Sequence, residues 1–284
     1  MPQDERRPYA LPRNPTESER LNAQHHVYVK SLGYVLHPRI AASLPAHRVE
    51  IADVATGTGA WMIDLASELP YAKLVGLDMS KAQFQSSVPS NCELQLLNIL
   101  DPIPQEFQGR FDVVHIRLLI VGLTGEDWNT VARHAMQMLK PGRWFQWCEA
   151  DFQNMDVLQT KGGSSRAAHE QLWGFARGVM QKHGKLAGEV GRLGEIVRKA
   201  GYQNISEDLV SSDRWPEMRR EASVVEHGAV AAIAKQFAAN LKEEHTKSEQ
   251  DVEDLCKRCE EEVAEGETYW RWNIKVVVGQ KPQS

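Results

Sequence analysis

Apolar and polar positions along the first half of the chain follow two alternating periods. Val49-Glu50-Ile51-Ala52-Asp53-Val54, Leu74-Val75-Gly76-Leu77-Asp78, Glu93-Leu94-Gln95-Leu96-Leu97-Asn98, Phe111-Asp112-Val113-Val114-His115-Ile116 and Arg143-Trp144-Phe145-Gln146-Trp147-Cys148-Glu149 are short runs rich in β-branched, apolar and aromatic residues. Such runs predict buried strands. Between the last two, Trp128, Val131, Ala135, Met138 and Leu139 recur at helical spacing. Lys140-Pro141-Gly142 stops that helix, because proline cannot continue it and glycine supplies the turn. Strands alternating with helices predict an α/β fold, a doubly wound and mostly parallel sheet with helices on both faces.

The pattern changes after Asp151. Gly162-Gly163-Ser164-Ser165 reads as a loop, and Arg166 to Lys182 as a helix with Ala168, Leu172, Phe175, Ala176 and Val179 on one face. Gly188 to Ala200 predicts another helix, with Gly201 suited to a left-handed position after it. Asn204 to Val210 and Trp270 to Gly279 are the sixth and seventh strands. The stretch from Pro216 to Thr268 is too long for a plain connection and has helical composition. It predicts an insertion that covers the crevice or forms a surface for a homodimer, with the acidic run Glu243 to Glu265 as a solvated face. Near the start, Arg20, Gln24 and Tyr28 at i, i+4 and i+8 predict a helix lying over the site. The expected organisation is a helical lid segment over 1–45 and one domain over 46–284, with helical substrate or cap elements at 151–200 and 216–268.

The chemistry enters at the first strand's end, where Ala55-Thr56-Gly57-Thr58-Gly59 turns directly into Ala60-Trp61-Met62-Ile63-Asp64-Leu65-Ala66. Glycine at 57 and 59 lets the backbone turn sharply and a ligand lie against its N–H groups. Met62 stands where a dinucleotide fingerprint has its third glycine, so the loop does not demand a pyrophosphate. Asp78 ends the second strand nineteen positions after Gly59. A carboxylate there accepts both hydroxyls of a ribose.

Composition narrows the partners. With 284 residues and 42% hydrophobic content the chain can bury a sizeable core. A formal charge of −5 without a dense Lys/Arg stripe argues against nucleic acid. No apolar run approaches the roughly 20 residues that span a bilayer, and Met1 to Arg7 has no apolar signal core. Four cysteines do not form a disulfide framework, so a reducing, cytoplasmic setting is expected and no membrane partner. Cys256-x-x-Cys259 has no second Cys/His pair at zinc spacing, and no metal is expected.

Taken in order, Asp53-Val54-Ala55-Thr56-Gly57-Thr58-Gly59, Gly76-Leu77-Asp78, Phe111-Asp112-Val113-Val114-His115 and Leu139-Lys140-Pro141-Gly142 resemble the motif series of class I S-adenosylmethionine-dependent methyltransferases. The resemblance spans about residues 49–151 and the closing strand. Tyr9-Ala10-Leu11-Pro12, Glu17 to His26, and Val114-His115-Ile116-Arg117-Leu118-Leu119 more narrowly resemble fungal secondary-metabolite methyltransferases related to the regulator LaeA. The resemblance implies a Rossmann-like seven-stranded sheet whose last strand is antiparallel. It also implies S-adenosylmethionine as cofactor, with S-adenosylhomocysteine as product.

It further implies the cofactor contacts. Asp53, Ala55, Thr56, Gly57 and Gly59 would serve the methionyl part, Asp78 the ribose, Asn98 and Ile99 the adenine edge, Met79 its face, and His115 the crevice. Each keeps a plainer reading beside it: Asp53 satisfying backbone donors, Asp112 anchoring a loop, Met79 filling core, His115 acting as a structural hydrogen-bonder. Tyr28, Trp147 and Trp173 are candidates to complement the sulfonium charge or line the substrate pocket, with core packing as the alternative, and Arg117 joins them from its motif. If the acceptor must lose a proton, His115, Glu149, Asp151 and His169 are the candidate bases.

The expected function is in-line methyl transfer to an O, N or S atom of a small molecule, a secondary metabolite. No Asn-Pro-Pro-Tyr or Asp-Pro-Pro-Tyr signature points to a nucleic-acid base. Two other readings stay open, a cyclisation or pericyclic step on the same fold and a LaeA-like regulator.

Overall fold

The computed structural model describes residues 11–186, 188–240 and 247–283. Tyr9 and Ala10 of the N-terminal motif, and Glu243 and Glu244 of the acidic run, lie outside that set. Seven strands form one sheet: β1 (Glu50–Val54), β2 (Lys73–Asp78), β3 (Cys92–Leu96), β4 (Phe111–Arg117), β5 (Leu139–Gln159), β6 (Gln203–Ser211) and β7 (Thr268–Gln280). Their order is β3-β2-β1-β4-β5-β7-β6. β1 pairs in parallel with β2 and β4, and β4 with β5, whereas β7 runs antiparallel to both β5 and β6. The apolar runs become strands because both faces are covered: every residue of β1 after Glu50, and β4 from Phe111 to Ile116, is buried.

The helices are α1 (Pro15–Leu32), α2 (Pro38–Ala41), α3 (Ala60–Glu68), α4 (Asp127–Met138), α5 (Ala167–Lys182), α6 (Leu193–Lys199), α7 (Arg219–Asn240) and α8 (Glu249–Gly266). α1 starts where Asn14 accepts from the Glu17 N–H and Pro15 takes the first turn, and it stops at Gly33, whose φ is 84°. It turns a polar face inward, burying Glu17, Gln24, His25 and Tyr28. α8 is amphipathic: Val252, Leu255 and Cys259 are buried while Glu253, Asp254, Glu260 and Glu261 face solvent. Glu262 is the acidic exception, buried against α5.

Three boundaries differ from the sequence expectation. β5 does not end near Glu149. It continues to Gln159 because β7 is long enough to pair Asp156–Gln159 with Arg271–Thr268, after a break in register between Asp151 and Asp156. Residues 151–159 are therefore strand, not the start of a helical element. α6 begins at Leu193 instead of Gly188, because Gly188 sits at φ 92° in a turn. β3 stops at Leu96, which leaves Asn98 and Ile99 in the loop that follows.

The chain builds β1, β2 and β3 outward on one side, then crosses to start β4 on the other side of β1. Ligands of open α/β sheets bind at such a reversal, outside the carboxyl ends of the strands. Here those ends carry Asp53, Asp78 and His115. At the opposite end of the sheet Asp112, 1% exposed, accepts from the Glu50 N–H at 3.0 Å. It also holds Lys140 at 2.7 Å and Arg143 at 3.0 Å. Asp112 is a structural anchor far from the crevice.

Candidate active site

The loop after β1 alternates the sign of its backbone angles: φ is 58° at Ala55, 55° at Gly57 and 78° at Gly59, while Thr56 and Thr58 stay in the usual region. The Thr56 N–H donates to Leu77 O at 3.0 Å and the Gly59 N–H to Thr56 O at 2.8 Å, so the alternation closes a tight turn that brings the backbone itself to the cleft. Side chains hold it in place. Thr56 Oγ1 donates to Asp53 Oδ2 at 2.5 Å, and the Gly57 N–H donates to Asp78 Oδ2 at 3.0 Å. Thr58 Oγ1 donates to Asn22 Oδ1 of α1 at 2.7 Å. Gly76 makes room for this arrangement. A Cβ there would lie 2.7 Å from Leu94 Cδ2 and 3.0 Å from Thr56 Oγ1.

Asp53 and His115 face each other in the β1–β4 register. His115 Nδ1 lies 2.8 Å from Asp53 Oδ1, and its ring stacks on Trp61 at 3.7 Å between centroids and 9° between planes. Burial lowers the His115 pKa, against the hydrogen bond and charge of Asp53, which raise it. Burial likewise raises the Asp78 pKa, opposed by the N–H groups of Gly57 and Ser80. Asn98 Oδ1 accepts from the Leu100 N–H at 3.1 Å. A carbonyl oxygen accepts two hydrogen bonds, so the side chain can still offer both a lone pair and its NH2 to a ligand edge. Ile99 is buried and Met79 is 48% exposed at the rim.

These groups converge on one cleft at the carboxyl ends of β1, β2 and β4, walled by α1 and by the segments after β3 and β4. Asp53, Ala55, Thr56, Gly57, Asp78, Met79, Asn98, Ile99, His115 and Arg117 all line it. Gly59 sits just behind as the residue before α3. Arg117 Nη2 approaches His25 Nδ1 at 3.1 Å, and its guanidinium lies 5.7 Å over the Tyr28 ring. His25 in turn holds Asp64 at 3.0 Å; burial, then Arg117, push its pKa down to about 4.

The remaining candidates fall elsewhere. Glu149 is fully buried, and its carboxylate accepts from Leu119 N–H at 2.8 Å, Ile120 N–H at 3.3 Å and Trp147 Nε1 at 2.7 Å. It fastens the segment after β4 instead of facing a ligand, and burial raises its pKa to about 7. Trp147 stacks on Trp128 at 5.4 Å in the core, and Tyr28 is buried beneath Arg117, so neither lines a cleft. Asp151 sits at the β5 register break, where it accepts from Asn154.

His169 lies in a separate cleft between α5, α7, α8 and β7, with Nδ1 at 2.7 Å from Glu262. Glu262 Oε1 and Oε2 also accept from Ala168 N–H, His169 N–H and Ser165 Oγ. His169, Cys259 and Glu262 offer donor atoms within 4.8 Å of one another, a grouping that the spacing of Cys256 and Cys259 does not reveal. Glu262 is already engaged by four donors. Trp173 lines a third, smaller cleft that adjoins the first.

Sequence reasoning missed several lining residues: Leu21 from α1, Trp61 from α3, and Leu118, Leu119, Gly122 and Leu123 after β4. Leu118 has φ 58°, a strained value for a branched side chain. The inward polar face of α1, which brings Gln24 to the cleft, was the readable signal.

A sheet of order 3-2-1-4-5-7-6 with its seventh strand reversed, and a glycine loop at the switch point, is the class I methyltransferase architecture. Residues 51–142 match the family model described as a methyltransferase domain. Among curated proteins, the chain is similar to "Methyltransferase grgD" of Penicillium sp, 41% identical over 152 residues that cover 50% of this chain and 52% of that protein. It is 30% identical over 153 residues to "Secondary metabolism regulator laeA" of Coprinopsis cinerea, covering 52% of this chain and 37% of that one. The chain spans about half the length of the first curated relatives it matches. Among solved structures, the [4+2]-cyclase SpnF has the same fold, with a TM-score of 0.51 at 14% identity over 94% of this chain and 96% of that one. No described helix is long and apolar enough to cross a membrane.

Proposed function

We propose that the protein is an S-adenosylmethionine-dependent methyltransferase acting on a small molecule. The observation that carries this reading is the braced glycine loop at the sheet's switch point: Asp53 tied to Thr56 and His115, and Gly57 tied to Asp78. The donor set fits the cofactor. The tight turn of Ala55 to Gly59 lets the backbone lie against the methionyl part, while Asp78 suits the ribose hydroxyls, the Asn98 amide and Ile99 backbone the adenine edge, and Met79 the ring face. S-adenosylmethionine supplies a methyl group on a sulfonium, open to in-line displacement.

What the chain adds is mostly position and dryness. His115 and Asp53 fix the loop, and Glu149 fixes Leu119 and Ile120 on the far wall. α1 closes the top with Leu21 and Gln24. The same Leu21 and Gln24, with Leu118, also border the apolar third cleft, so cofactor and acceptor sites adjoin. The candidate bases of the sequence reading are accordingly reassigned: His115 and Glu149 position, and Asp151 and His169 stand outside.

The test is product stoichiometry. Incubation with S-adenosylmethionine and an accepted substrate yields one S-adenosylhomocysteine per product. Product formed without it contradicts methyl transfer and favours a cyclisation on the same fold.

A further inference from the structure

α5, α7, α8 and β7 border an open cleft of about 720 Å³ that takes no part in the methyl-transfer reading. Three side chains with metal-ligand chemistry line it: His169 of α5, His227 of α7 and Cys259 of α8. Donor atoms of His169 and Cys259, together with one of Glu262, lie within 4.8 Å of one another, and all three residues are buried. The His227 ring centre stands 6.4 Å from that of His169. His227 also stacks on Trp270 at 5.7 Å, a contact through the ring face that occupies neither nitrogen. Three separate helices supply these groups, so no local spacing announces them.

Glu262 orients the cluster and does not itself face the cleft. Its carboxylate accepts from Ser165 Oγ and from the N–H groups of Ala168 and His169, and Oε2 lies 2.7 Å from His169 Nδ1. An ionised carboxylate only accepts, so Nδ1 is the donor and Nε2 is the nitrogen left for a ligand. A carboxylate behind a histidine in this way is the usual support of a metal-bound imidazole. Thr268 is an independent sign of a guest. It lines the same cleft at 2% exposure, and its Oγ1 has no hydrogen-bond partner among the described residues. Buried hydroxyls in native proteins are paired, and a water held on an ion would pair this one. Arg219 and Arg220 also line the cleft, opposed by Glu260 and by Glu267, which Lys161 holds at 3.0 Å. Beside the cluster itself the charge is negative, from the Glu262 carboxylate and from Cys259 once it binds as a thiolate.

We propose that His169 Nε2, Cys259 Sγ and a ring nitrogen of His227 bind one divalent ion of the zinc class at the wall of this cleft, with the fourth position open to water and Glu262 as the positioning residue behind His169. Two imidazoles and a thiolate select zinc and its neighbours over magnesium or calcium, which take oxygen ligands. Binding replaces the Cys259 S–H bond by an S–metal bond and releases the proton to solvent; nothing is oxidised. With Zn–N of about 2.0–2.1 Å and Zn–S of about 2.3 Å, the ligand atoms on one ion stand about 3.5 Å apart. Binding therefore draws the cluster together by side-chain rotation. The site is separate from the cofactor cleft and stands whether or not the protein transfers methyl groups.

The test strips the full chain with a chelator and titrates it with Co2+ as a coloured probe for the zinc class. Wild type is expected to bind a single equivalent, with a thiolate-to-cobalt charge-transfer band and the visible bands of a four-coordinate ion, and Zn2+ should displace both. Cys259→Ser is expected to lose the charge-transfer band, whereas Cys256→Ser, one turn away on α8, keeps it. His227→Gln should lose the four-coordinate visible bands, and Glu262→Gln should bind Co2+ about tenfold or more weakly. Absence of the charge-transfer band in wild type, its persistence in Cys259→Ser, unchanged visible bands in His227→Gln, or equal affinity in Glu262→Gln overturns the proposal. If Cys259→Ser or Glu262→Gln fails to fold, the wild-type spectrum, the Cys256→Ser control and the half-buried His227 still decide it.

Discussion

Asp53 lies opposite His115 in the β1–β4 register, so a single strand pairing places a carboxylate where it can brace the glycine loop. Both of its oxygens are engaged inside the protein, Oδ2 by Thr56 and Oδ1 by His115. Of the two roles its sequence position allowed, the geometry favours the bracing one. Gly57 is the residue on which the loop's shape depends most. At φ 55° a β-branched side chain is strained, and a Cβ would already sit 3.6 Å from Leu21 Cδ1 of α1. Gly57→Val is expected to weaken S-adenosylmethionine binding by at least about tenfold, the effect of roughly 1–3 kcal/mol of local strain. The helical circular-dichroism signal should persist. Loss of that signal together with binding would mark the glycine as essential to folding instead.

At the scale of elements, the strand runs and the glycine loop were legible because their period and turn chemistry are local. Residues 49–59 carry their own reading, and Asp78 follows from the end of an apolar run. The far length of β5 was not legible, since residues 151–159 become strand only through pairing with β7. Nor was the place of Glu149, whose partners Leu119 and Ile120 belong to another segment. The α5–α8 junction is a third case. Glu262 reads as one acid in an acidic helix, yet it caps the first turn of α5 and holds His169. Glu262→Ala leaves several buried donors without a partner, and a stability loss of about 3 kcal/mol is expected in urea unfolding. Cofactor affinity should not change, because this junction lines a different cleft. An unchanged unfolding midpoint would show the cap to be dispensable.

For the whole molecule, the order of the strands decides where chemistry happens and the helices decide what reaches it. The switch between β1 and β4 gathers the ends of β1, β2 and β4 at one crevice. α1 roofs it, while α5 and α7 complete the adjoining apolar chamber. The family match covers residues 51–142, which hold most of the residues of the cofactor cleft. The adjoining cleft draws on α1, α5 and α7, outside that span, as well as on Leu118, Ile120 and Val121 within it. The account stands on the cleft being an S-adenosylmethionine site. Calorimetric titration of S-adenosylmethionine into wild type and Asp78→Ala tests it most directly. Saturable one-to-one binding by wild type, weakened at least about tenfold in the variant by loss of the carboxylate's hydrogen bonds, is the predicted result. Wild type binding no better than Asp78→Ala would contradict it.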